Sequence, residues 1–198
     1  LDWHMIVGYV TLGLLAFRLC WGIVGTRYAR FSQLLAGPQE TLAYLRALPR
    51  RNGQPPSNRV GHNPLGAFAI VALLGLLTVQ AVTGLFASDE LLHLGPYNGA
   101  VSAQTAEWLT SVHKANSDVL LVFIWIHIGA VLFYALYKRQ NLITPMITGR
   151  KRLSRAVGER AAIVSSRGWL AIGIAVAAAG AVWLLVTLAP PPPAPDFF

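Results

Sequence analysis

The sequence predicts an all-α integral membrane protein, on three observations. Of its 198 residues, 55% are hydrophobic and 12% charged, a balance foreign to a soluble domain. The apolar residues collect into four runs, Met5 to Val24, Pro64 to Ala87, Val119 to Tyr137 and Leu170 to Ala189, each near the ~20 residues that a spanning helix needs. The intervening segments alternate in charge, as loops of a multi-pass chain do.

The chain opens on Leu1, not Met, and passes through LDWH almost directly into the first run with no basic-flanked leader. The first span ends in RLCWGIVGTRYARF, where Gly25 stops the helix and Arg27 and Arg30 mark the headgroup level. His4, Gly8, Thr11, Leu15, Arg18 and Gly22 recur at helical spacing and form its least lipid-like stripe.

From Thr26 to Gly61 the chain carries Arg27, Arg30, Arg46, Arg50, Arg51 and Arg59 against the single acid Glu40. Its middle, Pro38 to Leu48, reads as a short amphipathic helix at the membrane surface, and NGQPPSN as a linker. His62 follows in GHNPLG, with Asn63 as cap and Pro64 at the first helical position of span two. Between Ser88 and Leu109 there are Asp89, Glu90 and Glu107 and no Lys or Arg. The Arg-rich segment is therefore expected on the cytoplasmic side and this loop outside. His93 in the loop reads as a solvated residue.

The third span lies within Thr110 to Arg139, TSVHKANSDVLLVFIWIHIGAVLFYALYKR. A second basic segment, Lys138 to Arg167, returns the chain to the cytoplasm. The last span, GWLAIGIAVAAAGAVWLLVTLA, has no ionisable residue and reads as packing or anchor. PPPPAP then projects outside as a polyproline tail. By this count Leu1 lies outside, and the expectation is a further transmembrane helix before it.

The chemistry is expected from histidines. His113 and His127 are fourteen residues apart on one helix, roughly 21 Å along the axis and close to four turns, so both rings leave one side. A histidine within a membrane helix is a functional hypothesis by default, and imidazole is a good ligand for haem iron. Orientation puts His4 and His113 at the same outer depth. Two such histidines clamp one b-type haem by bis-imidazole ligation and leave no open position for substrate, so the site moves electrons. Lys114 and Asn116 are placed to serve the propionates, although Lys114 is equally a headgroup contact. Arg18 either pairs with a propionate or snorkels to the near headgroup layer. Gly8 either makes room for the macrocycle or serves helix packing. His62 either contacts a quinone or a propionate or is a solvated turn residue. His127 has no clear match in this chain, and the preceding helix is the expected source of its partner.

Cys20 is the sole cysteine and there is no C-x-x-C-H motif, which excludes a disulfide framework, a cysteine-ligated cluster and a covalently attached haem. The net charge of +8 resides in the basic loops, where topology accounts for it without nucleic acid.

In these motifs the chain resembles the bacterial cytochrome b561 and nickel-iron hydrogenase cytochrome b subunit family. The resemblance rests on WHM with FRLCWGIVGTRYARF (Trp3, His4, Arg18, Trp21, Gly25, Arg27, Tyr28, Phe31), GHNPLG (His62 to Gly66), QAVTGLF, LTSVHKAN, IHI around His127, and KRQNLITPMITGRK. It covers roughly residues 1 to 152. It implies a transmembrane four-helix cytochrome b bundle with three helices present here, plus one appended C-terminal transmembrane helix. The organisation expected is a cytochrome b561-like domain over 1–152, a basic cytoplasmic linker over 153–169, the added helix over 170–189 and an extracytoplasmic tail over 190–198. The family's first helix, absent here, carries an Arg-x-x-His-Trp motif. By that pattern His4 and His113 hold the outer haem, and His127 with the absent histidine holds the inner one.

Such proteins pass electrons between a periplasmic redox protein, a hydrogenase or a c-type cytochrome, and membrane quinone. The resemblance thus implies an electron-transfer subunit in a bacterial inner membrane, surrounded by lipid, within a homodimer or larger complex. Two other readings stand beside it. One is a haem-free membrane anchor or assembly subunit. The other is a transporter with His and Arg along an ion path, against which no broken span or inverted repeat is visible.

Overall fold

The computed structural model describes residues 2–34, 36–48, 61, 63–89, 93–149, 158–159, 161–163 and 165–191. His62, the NGQPPSN linker and the tail beyond residue 191 lie outside the described residues, as does most of the basic segment 150–160. The helices in chain order are α1 (Asp2–Val24), α2 (Phe31–Leu34), α3 (Pro38–Ala47), α4 (Pro64–Gly84), α5 (Ala103–Leu136), α6 (Ile143–Thr148) and α7 (Gly168–Thr187). No strand occurs among the described residues, only an isolated antiparallel bridge between Ser88 and Leu94. The fold is all-α, and four helices, α1, α4, α5 and α7, are long and apolar enough to cross a membrane.

Large apolar side chains such as Trp3, Phe68, Trp125 and Trp169 are exposed along these helices. In water that surface would be untenable; in a bilayer the lipid tails cover it.

Each helix boundary has a local cause. Asn63 caps α4 through its Oδ1, which accepts from the Gly66 N–H at 2.6 Å, with Pro64 following at the position where its missing N–H is harmless. α5 starts at Ala103, seven residues before the predicted Thr110. The Ser102 hydroxyl accepts from the Thr105 N–H at 3.3 Å there, a polar cap that the apolar run by itself does not signal. α1 stops at Val24.

The chain forms two compact units. One comprises Leu1–Trp21, Leu73–Leu121 and Gly168–Phe198. Within it the loop after α4 turns tightly. Gly95 donates to the Ala87 carbonyl at 2.7 Å and Tyr97 to the Leu85 carbonyl at 2.8 Å. A Cβ on Gly95 would overlap the backbone of Gly84 and Leu85. The Tyr97 hydroxyl donates to the Leu185 carbonyl of α7 at 2.9 Å.

The other unit comprises Gly22–Ala72 and Val122–Arg167. In it the Val24 carbonyl accepts from Arg167 at 2.8 Å and the Gly25 carbonyl from Arg30 Nε at 2.9 Å, two cations on the negative end of α1. Tyr28 donates to the Ala161 carbonyl at 3.1 Å. The amphipathic helix expected over Pro38 to Leu48 is present as α3 and buries Tyr44, whose hydroxyl is hydrogen-bonded to that of Tyr134.

Burial first, then the bond to Tyr134, pushes the Tyr44 phenol above the ordinary tyrosine range. Above pH ~10 the unfolded chain ionises at this residue while the folded one stays neutral, so stability falls as pH rises. Y44F strands one buried hydroxyl and is expected to cost about 1–3 kcal/mol, whereas Y44F/Y134F removes both partners and costs less than either single change. Unfolding in detergent measures this; a double variant at the sum of the singles would refute the pairing.

Candidate functional site

A cavity of about 660 Å³ opens in the first unit, within the roughly 300–1,000 Å³ range of ligand pockets. Its walls include three histidines, His4 from the first turn of α1, His113 from α5 and His93 from the loop between α4 and α5. Gln80, Gly84 and Lys114 complete the part that concerns ligand chemistry.

His4 and His113 face each other with ring centroids 6.2 Å apart and planes at 87°. Two imidazoles that flank one metal with bonds of about 2.0–2.1 Å stand with centroids roughly 6 Å apart. The pair therefore has the separation that two axial ligands of a haem iron need. A Cβ on Gly8, one turn along α1 from His4, would meet no atom within 4 Å, and Gly8 does not line the cavity.

α4 governs His113. The Gln80 carbonyl lies 3.0 Å from Nδ1, and a carbonyl only accepts, so Nδ1 carries the proton. The Thr83 hydroxyl oxygen is 3.2 Å from the same nitrogen. That leaves the lone pair on Nε2, which accepts from the Gln80 amide Nε2 at 3.0 Å, so ligation through Nε2 requires that amide to move off the ring. Gly84 is packed so closely that a Cβ there would come within 2.9 Å of His113 Cε1.

The other expected site residues are placed differently from one another. Lys114 lines the cavity. Asn116 is buried, and its amide nitrogen donates to the Leu76 carbonyl at 3.0 Å and to Gln80 Oε1 at 2.6 Å, contacts that join α5 to α4. Arg18 sits part-buried on α1, outside the residues that line the cavity. His127 is part-buried on α5 in the second unit. No second described histidine belongs to that unit, so a bis-imidazole site is not assembled around His127 among the described residues. His62 is outside them.

His93 corrects the expectation of a solvated loop residue. Its backbone N–H donates to Asp89 Oδ1 at 2.8 Å, its Nδ1 lies 3.3 Å from Asp89 Oδ2, and its Nε2 lies 3.5 Å from Asp2 Oδ1. The Asp-x-x-x-His spacing was the available signal, but in a loop that spacing carries no periodicity to mark a shared face. Gln80, Thr83 and Gly84 were also passed over, as ordinary members of the QAVTGLF end of a span.

Among the described residues no group of three or more His, Cys, Asp or Glu is arranged to hold a metal ion. A haem iron, held by its own macrocycle, would ask the protein for only two donors, and His4 and His113 are the candidate pair.

The family model for prokaryotic cytochrome b561 matches residues 1–149. The chain belongs to the prokaryotic cytochrome b561 family. Similar proteins include the probable Ni/Fe-hydrogenase B-type cytochrome subunit of Cupriavidus necator, 26% identical over 165 residues, covering 74% of this chain and 64% of that protein. The protein of the same name from Rhizobium leguminosarum bv. viciae is 26% identical, covering 75% and 66%. That from Azotobacter chroococcum mcd 1 is 27% identical, covering 74% and 65%. The chain thus spans about two thirds of the length of these curated relatives. No solved structure matches it. Family membership implies b-type haem in a multi-pass membrane protein, and the His4/His113 pair of this cytochrome b561 homologue suits that group.

Gly84→Ala drives a methyl group into the His113 ring and is expected to cost about 1–3 kcal/mol and to lower the haem-to-protein ratio several-fold. Pyridine haemochrome assay of the purified protein measures it. Full haem content in this variant would show that the ring yields freely and that Gly84 does not govern it.

Proposed function

We propose that this chain is the haem-carrying part of a membrane electron-transfer subunit in a bacterial inner membrane. The observation that carries the reading is the His4/His113 pair, 6.2 Å apart beside an open cavity. His4 and His113 would hold the haem, which would supply a one-electron couple; with two protein donors on the iron this would suit electron transfer and not oxygen or substrate activation.

The chain's own residues have defined tasks in this reading. His113, through Nε2, and His4 would hold the haem iron. Gln80 and Thr83 fix the His113 tautomer. Lys114, on the cavity wall, offers a cation to the propionates. The exposed apolar faces keep the site at the edge of the lipid, where bulk water does not surround it.

The side that the site faces follows from charge. The Arg-rich segments 26–61 and 138–167 face the cytoplasm, and the acidic loop with the His4/His113 site faces the periplasm, as does the C-terminal tail. Electrons then enter from a periplasmic redox protein. The relatives' names support a nickel-iron hydrogenase in that role, with membrane quinone as acceptor. His127 is the proposed ligand of a second haem, and no step is assigned to it.

A dithionite-reduced minus oxidised spectrum of pure, haem-replete protein should show a sharp α-band. Its absence would favour a haem-free anchor subunit. His4→Ala and His113→Ala should each remove the same haem, and the double variant should lose no more than either alone. His127→Ala should leave that haem in place. Full haem retention after His4→Ala or His113→Ala contradicts the pairing.

A further inference from the structure

The contact between Thr83 and His113 goes beyond holding two helices together. Thr83 is buried, 5% exposed. Its hydroxyl proton is directed to the Val79 carbonyl at 2.7 Å, which turns its lone pairs outward. One of them lies 3.2 Å from His113 Nδ1, the nitrogen whose proton the Gln80 carbonyl also accepts at 3.0 Å. A single N–H is thus shared by two acceptors on successive positions of the α4 face. Gly84, next in sequence, has no side chain to push the ring away.

We propose that Thr83 is a positioning residue for the cofactor: its hydroxyl fixes the plane of the His113 ring and sets the reduction potential of the haem that His113 ligates. This inference rests on the ligand assignment made above. Acceptors on Nδ1–H make the imidazole a stronger electron donor through Nε2. A stronger axial donor favours ferric over ferrous iron, so the hydroxyl lowers the potential. Where Nε2 serves a metal and no longer accepts from the Gln80 amide, the Gln80 carbonyl and the Thr83 hydroxyl are the two hydrogen-bond contacts that hold the ring plane.

The test compares wild type, T83V and T83S in the haem-replete purified chain by optical redox titration and by low-temperature EPR of the ferric form. Valine keeps the shape and loses the acceptor; serine restores the acceptor. T83V is expected to retain the α-band and to raise the ferrous-to-ferric ratio at a fixed ambient potential by up to about tenfold, about 59 mV for a one-electron couple. Its ferric g-values should shift as the ring plane relaxes, and T83S should match wild type in both readouts. Haem loss in T83V that T83S restores also supports the proposal.

T83V identical to wild type in potential and g-values overturns it, as does T83S behaving like T83V. Haem loss in both variants overturns it as well, because packing and not the hydroxyl would then be the cause. A wild-type protein that takes up no haem defeats the ligand assignment itself, an outcome separate from an unshifted T83V.

Discussion

An imidazole set among apolar helices has to satisfy two ring nitrogens, because a buried polar atom left unmet costs about 1–3 kcal/mol. His113 meets that demand entirely on α4, through the backbone and side chain of Gln80 and the hydroxyl of Thr83. Asn116 does the same one turn further on, against Leu76 and Gln80. Between two lipid-bathed helices, apolar contacts specify little, since lipid tails are as apolar as leucine. The polar set from Leu76 to Thr83, opposite His113 and Asn116, is what fixes the register of α4 against α5 in this unit, and with it the position of the cavity.

The same economy explains the loop after α4. Its backbone bonds to the Ala87 and Leu85 carbonyls and the Asn98 side-chain amide bond to the Phe86 carbonyl fold it back on itself, and Ser88 N–H donates to the Thr110 hydroxyl of α5 at 3.1 Å. His93 is carried to the cavity by that fold and held there between Asp89 and Asp2. The site is therefore framed by four chain segments, α1, α4, the loop after it and α5, and all but α4 bring a histidine.

Much of this was legible in the sequence because the physics is one-dimensional. A run of ~20 apolar residues declares a span, and Asn63-Pro64 and Gly25 declare helix ends. His4 and His113 were matched by counting crossings, which needs no three-dimensional information. The partners of His113 were not legible for the opposite reason. Gln80 and Thr83 are single polar residues in an apolar run, and in a membrane helix such a residue is as often bonded to its own backbone, as Thr78 and Thr11 are here. Only the placement of α5 beside α4 distinguishes them. The start of α5 escaped for a related reason: Ala103 to Leu109 is too polar to extend an apolar run, yet the Ser102 cap makes it helical. The Thr110 boundary marked where the hydrocarbon begins, not where the helix does.

The bond from Tyr97 to Leu185 joins two parts of different origin. Tyr97 lies within the stretch that matches the family, and Leu185 lies in α7, beyond residue 149 where that match ends. A helix that the sequence presents as a mere anchor thus supplies the acceptor for the phenol of the loop that carries His93. Cut back to its family core, the chain would keep every histidine and lose a guy-rope of the loop beside them. A piece of this protein cut at residue 149 lacks that acceptor, and the Tyr97 phenol would have to find another.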